Sequence, residues 1–593
     1  MNPASFEPEG GRIGLALSGG GFRASLFHLG VIRRLEELGI MEKISIVSSV
    51  SGGSIIAAYY LCEMEKQLRE YRLKGETANR VELFEKIAEK FLKAVDHNLR
   101  TRALIYTPRY HPIKFIKYLV FAAFRSGARA ELIQAEYDRW FYFGDTMDQL
   151  PVERPEKPHQ VISRSCVGGD EPFYGPRLLL NATSLLTGER VTFSRDTSSG
   201  IIDLKTSDRN VLPLSRVVGA SSGVPVLFPP TSIMGDLLVD GGISDNQGIE
   251  GLLDPANKID VILVSDASGQ MEVKHTQSPS ALPVYDRMSE ILQFQIRNKL
   301  LELLMAWGDP RNGLNRRFAF VHLLINLKSR YGSPQRVSTS ILPALGRIRT
   351  DLDQFSPIEC EALMYHGYTL IDAQLRGYCC DFFRSKVKEG SKEEKEFPHF
   401  EAKLKTPPLF TKKVEEKILE KMQGNTSKDP IRQDLEAGSE SVYLIRCLKK
   451  HLWPTLITGF LVIVLEIPFF LLSSGLSHGL VNWLRHRLDA IFYNIVPKWL
   501  VQLFDSLLNL FGYTGQGLAL TTDSVVHLLA FVLVFALTLY IASYPIYAVI
   551  RRHAMWLDRW NYKKITGGTG FTVHWTEDGE TEQGSTSIRS SQD

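Results

Sequence analysis

Ile44-Ser45-Ile46-Val47-Ser48-Ser49-Val50-Ser51-Gly52-Gly53-Ser54-Ile55-Ile56-Ala57-Ala58 is the stretch whose reading decides the fold. A β-branched run stops at a cluster of small residues, and an apolar helical pattern restarts behind it. Small residues two places either side of Ser51 permit the sharp strand-to-helix turn of a nucleophile elbow, which lifts a hydroxyl above the end of a sheet. The usual spacing is Gly-x-Ser-x-Gly, and Ser49 stands here at the first glycine position. Alone, the stretch reads equally as a Ser/Gly-rich turn and helix cap.

Upstream, a predicted strand Ile13–Leu17 runs into Ser18-Gly19-Gly20-Gly21-Phe22-Arg23-Ala24, and a helix is expected over Ser25–Leu38. Consecutive glycines reach positive φ and can aim successive N–H groups at one point. The helix behind adds its positive end. Such a loop suits a developing anion, a nucleotide phosphate, or simply a tight turn. Downstream, the apolar run Leu237–Val239 delivers Asp240 into Gly241-Gly242. That is a carboxylate at a strand end, where α/β sites sit, or the first residue of an Asx-turn. Further strands at Leu178–Asn181 and Val261–Ser265, with helices at Val81–Ala94 and Val284–Trp307, make Arg12–Phe383 an α/β region with a mainly parallel sheet.

Taken in order, the glycine loop with its Arg23, the serine turn at Ser51 and the Asp240-Gly-Gly turn resemble the patatin-like phospholipase family. The likeness spans roughly Arg12–Gly269 and takes in Gly219-Ala220-Ser221-Ser222-Gly223-Val224-Pro225 and Val264-Ser265-Asp266-Ala267. Ser18, Ala24 and Ser49 depart from the family pattern. The resemblance implies a three-layer α/β/α catalytic domain over residues 10–383 and a Ser51–Asp240 dyad without histidine. It places the oxyanion hole on the N–H groups of Gly19, Gly20 and Gly21, with Gly52 adding a donor, and gives Arg23 to the loop or to a lipid phosphate. Asp240 then needs burial to become a useful base, since an ordinary aspartate sits near pKa 3.9. His275, His322 and His366 are the histidines a conventional triad would have to use, and none lies in a catalytic-loop context.

At 593 residues the chain exceeds one compact core. A net charge of +3 and the lack of a basic, aromatic-interleaved stripe exclude a general nucleic-acid binder. The six cysteines, Cys62, Cys166, Cys360, Cys379, Cys380 and Cys447, form no CxxC pair and no zinc-ligand spacing. No metal and no cofactor is expected. Met1–Gly14 lacks the apolar core of a secretory signal.

Past a charged linker, residues 384–440, the composition changes. Within a helical membrane domain at 441–565, Leu452–Leu476 and Ser524–Ile550 are each long enough to span a bilayer. Glu466 and Pro468 interrupt the first. Arg446, Lys449 and Lys450 before the first span, with Arg551 and Arg552 after the second, outweigh Arg485, Arg487 and Lys498 between them. The expected topology is two-pass, with the catalytic domain on the cytoplasmic side. An amphipathic stripe from Trp499 to Phe511 suits the interface or packing against the spans. Pro112–Arg125, basic and aromatic-rich, is read as an interfacial lid over Ser51 or a buried helix. Residues 566–593 have the composition of a disordered tail.

The expected activity is membrane-associated hydrolysis of phospholipid or another acyl lipid through an acyl-enzyme on Ser51. An acyltransferase using the same dyad and a non-catalytic lipid-binding scaffold are the alternatives. A nucleotide binder lacks the GK[ST] of a P-loop and the GxGxxG spacing.

Overall fold

A computed structural model describes residues 11–101, 127–153, 174–195, 198–199, 212–225, 228–269, 280–314, 316–325, 342–379, 446–447, 549–558 and 560. Backbone contacts divide the chain into one unit of Met1–Tyr443 with Thr569–Asp593 and another of Leu444–Gly568.

The strands are β1 (Ile13–Leu17), β2 (Ile44–Val50), β3 (Val152–Glu153), β4 (Tyr174–Gly175), β5 (Arg177–Ser184), β6 (Arg190–Phe193), β7 (Ser198–Ser199), β8 (Thr231–Ile233), β9 (Asp236–Asp240), β10 (Val261–Asp266) and β11 (Arg317–His322). The helices used below are α1 (Gly21–Glu37), α2 (Gly52–Lys74), α3 (Arg80–Val95), α4 (Gly127–Tyr137), α5 (Leu214–Ser221), α6 (Gly242–Asp245), α7 (Glu250–Leu253), α8 (Ala281–Trp307), α9 (Leu342–Arg347) and α10 (Pro357–Gln374). Nine strands form one sheet in the order β11-β10-β1-β2-β5-β6-β7, with β9 pairing β5 and β8. β11 through β5 are mutually parallel, whereas β6, β7, β8 and β9 are added antiparallel.

Parallel strands are joined by crossovers and covered on both faces, so their sequences run apolar without alternation. All five residues of β1 and all six of β10 are buried. One face carries the main core, shared by α1, α2, α3 and α10; the other packs Ile249, just before α7, Leu252 of α7 and Leu304 of α8 on Ala16, Ile46, Ile262 and Val264. The expected α/β class with a mostly parallel sheet is the one observed. α1 and α10 approach so closely that a Cβ on Gly30 would lie 1.9 Å from the Met364 carbonyl oxygen, and one on Gly367 2.2 Å from that of Phe27.

Strand order reverses at β1, since β2 lies on one side of it and β10 on the other. Such switch points open a crevice at the carboxyl edge, and the glycine loop follows β1 there. β5 then acts as a ruler. Its Asn181 pairs with Val50, the last residue of β2, and its next residue, Ala182, pairs with Asp240 of antiparallel β9. β2 and β9 therefore occupy one slot beside β5, end to end, and Ser51 meets Asp240 at the join.

Among the described residues no helix is long and apolar enough to cross a membrane. The predicted spans lie outside them apart from Val549 and Ile550, so the helical membrane domain finds no support there. Pro112–Arg125, the linker 384–440, the Trp499–Phe511 stripe and the 566–593 tail also lie outside the described residues.

Candidate active site

Ser51 is held at φ 50°, ψ −118°, in the positive-φ region that L-residues avoid. Strain of this kind persists only where the surroundings enforce it. The Ser51 N–H donates to Ser221 Oγ at 3.1 Å, and that hydroxyl donates to the Asn181 carbonyl at 2.6 Å. Ser49, in the place of the usual glycine, turns its Oγ away to the Leu179 carbonyl, 3.2 Å, and to Ser54 Oγ, 3.1 Å. The substitution thus adds to the bracing of the elbow without crowding it.

The Ser51 side chain interacts with the Asp240 carboxylate and works to lower its pKa. Both side chains are buried. Asp240 also accepts from the Gly242 N–H at 2.7 Å, and its own N–H is held by the Gly223 carbonyl at 3.0 Å. Burial pushes the Asp240 carboxyl up to about 6, against the pull of the Ser51 and Gly242 hydrogen bonds. At neutral pH it is a carboxylate of raised basicity.

Two helices begin beside this pair: α1 at Gly21 and α2 at Gly52. They converge so tightly that a Cβ on Gly52 would sit 2.0 Å from the Gly21 carbonyl oxygen. Ser25 Oγ, from α1, donates to the Gly52 carbonyl at 2.7 Å. Two helix N-termini aimed at one point favour negative charge there. The N–H groups of Gly20, Gly21 and Gly52 donate to no partner among the described residues.

Gly19 departs from expectation. Its N–H is spent on the Asn246 carbonyl at 2.9 Å, so it does not join the other three. What its position requires is the absence of a side chain: a Cβ there would lie 3.1 Å from Ser51 Cβ and 2.3 Å from Asn246 Oδ1.

Arg23 is buried, and its guanidinium reaches three backbone carbonyls: Ile348 at 2.7 Å, Ala267 at 3.0 Å and Gly346 at 3.1 Å. Burial lowers its pKa to about 10, partly offset by Asp266. Of the two roles open to it, the geometry is that of a loop support. The same distant segment accepts the Phe22 N–H at the Asp351 carbonyl, 2.9 Å.

Three buried histidines are occupied elsewhere. His28 bonds the Ser18 carbonyl through Nε2 at 2.9 Å, which leaves Nδ1 to accept from Ser265 Oγ at 2.7 Å. His366 donates to the Leu323 carbonyl at 2.8 Å, and His322 Nδ1 accepts the Leu324 N–H at 3.1 Å. Burial lowers all three to about 4. His275 lies outside the described residues. Among the described residues no group of His, Cys, Asp and Glu is arranged to hold a metal ion.

Asn246, Ser221, His28 and the segment around Asp351 carry no role in the sequence reading. Ser221 stands in the Gly219–Pro225 run, Asn246 lies six residues beyond Asp240, and His28 is one more residue of helix α1.

Residues 15–253 match the family model for patatin-like phospholipases. That domain contains Ser51, Asp240 and the glycine loop. No curated protein matches the chain. Among solved structures, human GIVD cytosolic phospholipase A2, in complex with methyl gamma-linolenyl fluorophosphonate and terbium chloride, aligns at 13% identity and TM-score 0.36, over 68% of this chain and 61% of its own length. VipD from Legionella pneumophila aligns at 16% identity and TM-score 0.26, over 74% of this chain and 82% of that one.

Proposed function

We propose that the chain is a lipid acyl hydrolase that cleaves carboxylic esters through an acyl-enzyme on Ser51. The observation that carries this reading is Ser51, held at positive φ at the strand end, set against a buried carboxylate whose burial lifts it to about 6. A serine needs a base to become nucleophilic, and Asp240 is the buried carboxylate that interacts with it. Ser51 Oγ attacks the ester carbonyl carbon as its proton passes to Asp240. The tetrahedral oxyanion is received by the N–H groups of Gly20, Gly21 and Gly52, each such donor being worth about 3–4 kcal/mol of transition-state stabilisation. Collapse expels the alcohol, which takes the proton from Asp240, and water repeats the sequence to release the acid.

The patatin-like phospholipase match over residues 15–253 supports an acyl lipid as substrate. The apolar stretches Leu452–Leu476 and Ser524–Ile550 support attachment to a bilayer as two spans, with the catalytic domain on the cytoplasmic side.

Treatment with a fluorophosphonate probe tests the chemistry. Wild type labels, and Ser51→Ala and Asp240→Asn do not. Replacement of His275, His322 or His366 by Ala leaves labelling within a few-fold. An unlabelled wild type in detergent and in lipid contradicts the proposal.

A further inference from the structure

α8 is longer than the sheet it lies on. Near its C-terminal end, Leu304 packs on the core of this face and Gly308, one residue past the helix, abuts Phe318 near the start of β11. Further back, Arg297 bonds Asp266, the last residue of β10, at 3.0 Å. The helix therefore runs antiparallel to β10 and reaches the carboxyl edge of the sheet at about Arg297. Residues 281–296 continue past that edge by about 24 Å, at 1.5 Å per residue. It is the edge that carries Ser51, two strands from β10 and so about 10 Å across the sheet.

Of the exposed residues described in this projecting half, four are apolar and two, Gln293 and Gln295, are polar. Val284, Met288, Ile291 and Leu292 fall at i, i+4, i+7 and i+8, one helical face, and are 46%, 48%, 41% and 55% exposed. Arg287 and Glu290 pair with each other at 2.6 Å. Ile243, in the short helix that follows Asp240, is also exposed. The strip is about 12 Å long and one helix, about 10 Å, wide. That is far below the roughly 800 Å² per partner of a stable protein interface. A few bulky side chains on a projecting arm suffice, by contrast, for shallow insertion into a lipid surface, and the apolar stretches Leu452–Leu476 and Ser524–Ile550 favour a bilayer as the occupant.

We propose that the projecting half of α8 is a lipid-docking arm that seats the catalytic edge on a bilayer through Met288, Ile291 and Leu292. This deepens the proposed function and rests on it for the acyl-lipid substrate and for the nearness of a bilayer. The test uses the full-length chain reconstituted with phosphatidylcholine vesicles. A fluorophore is placed at Met288→Cys or, as control, at Arg311→Cys beyond the other end of α8. Nitroxides on the lipid acyl chains are expected to quench position 288 at least three-fold more strongly than position 311. Equal quenching overturns the proposal, as does quenching of position 288 by a nitroxide-labelled second copy of the chain in place of labelled lipid. In the variant M288E/I291E/L292E the ratio of vesicle-lipid hydrolysis to soluble-ester hydrolysis falls at least ten-fold; an unchanged ratio overturns the arm. Quenching at 288 in a protein with no esterase activity leaves the arm standing and removes the hydrolase reading. Esterase activity without quenching does the reverse.

Discussion

Residues 15–253 and residues 342–379 contribute to one site in opposite ways. The first region supplies every group proposed to touch substrate: Ser51, Asp240 and the Gly20, Gly21 and Gly52 amides. The second supplies none of these; it offers backbone carbonyls to the glycine loop and, to α1, a packing surface with the Asp372 carboxylate on Arg34 at 2.8 Å. Yet Gly346, Ile348 and Asp351 hold Arg23 and Phe22 in place, and α10 packs its Gly367 against the Phe27 carbonyl of α1. The difference teaches that support comes from two places: Ser221 and Gly223 brace Ser51 and Asp240 from within the residues matched by the family model, whereas Arg23 and α1 are held from beyond them.

That separation can be broken by mutation. Ser51→Ala should lower ester hydrolysis by about 10⁴-fold or more, as loss of a serine nucleophile does elsewhere, while leaving the unfolding midpoint almost unmoved. A large loss of stability would mean that the hydroxyl is a structural brace. Arg23→Met should do both kinds of damage. It strands three buried carbonyls, costing roughly 2–4 kcal/mol of stability, and it loosens the glycine loop, so kcat falls while KM changes little. Denaturant unfolding and steady-state kinetics on a soluble ester read the two effects separately.

Asp240→Asn sharpens the contrast, because it should remove activity and add stability. The folded carboxyl titrates near 6 and the ordinary one at 3.8. Between these values the folded protein holds a proton that the unfolded chain has lost. Stability therefore falls as pH rises from about 4 to 6, by up to about 3 kcal/mol. The amide variant should recover much of that at pH 8 and nothing at pH 3. Equal stability of the two proteins at pH 8 would refute the burial argument. A smaller effect belongs to Gly30→Ala in the supporting contact. Its Cβ forces α1 from α10, costing about 1–3 kcal/mol by overpacking, and thermal melts should show it with Ser51 still reactive in the folded fraction.

The chemical half of this division was legible in the residues. β1 spans the predicted Ile13–Leu17, and Ser51, Asp240 and the glycines stand at strand ends, because small residues and carboxylates at such ends are constrained by side-chain size and chemistry. The supporting half was not, since a carbonyl that receives Arg23 is offered by any amino acid. The start of α1 shows the same limit. Glycines suggest loop as far as Ala24, yet the helix begins at Gly21, where the Asp351 carbonyl caps the Phe22 N–H. Nor does a run of three glycines reveal which amide turns inward: Gly19 gives its N–H to Asn246, and only the fold decides that.

The Ser51–Asp240 dyad is tested most directly by the rate of fluorophosphonate labelling of Ser51 as a function of pH. A carboxylate raised to about 6 predicts a rate that climbs with unit slope through pH 6 and then stays flat to pH 8, and that is lost in Asp240→Asn at every pH. Labelling of Asp240→Asn at the wild-type rate, or a midpoint that disappears when His275 is replaced, would contradict it.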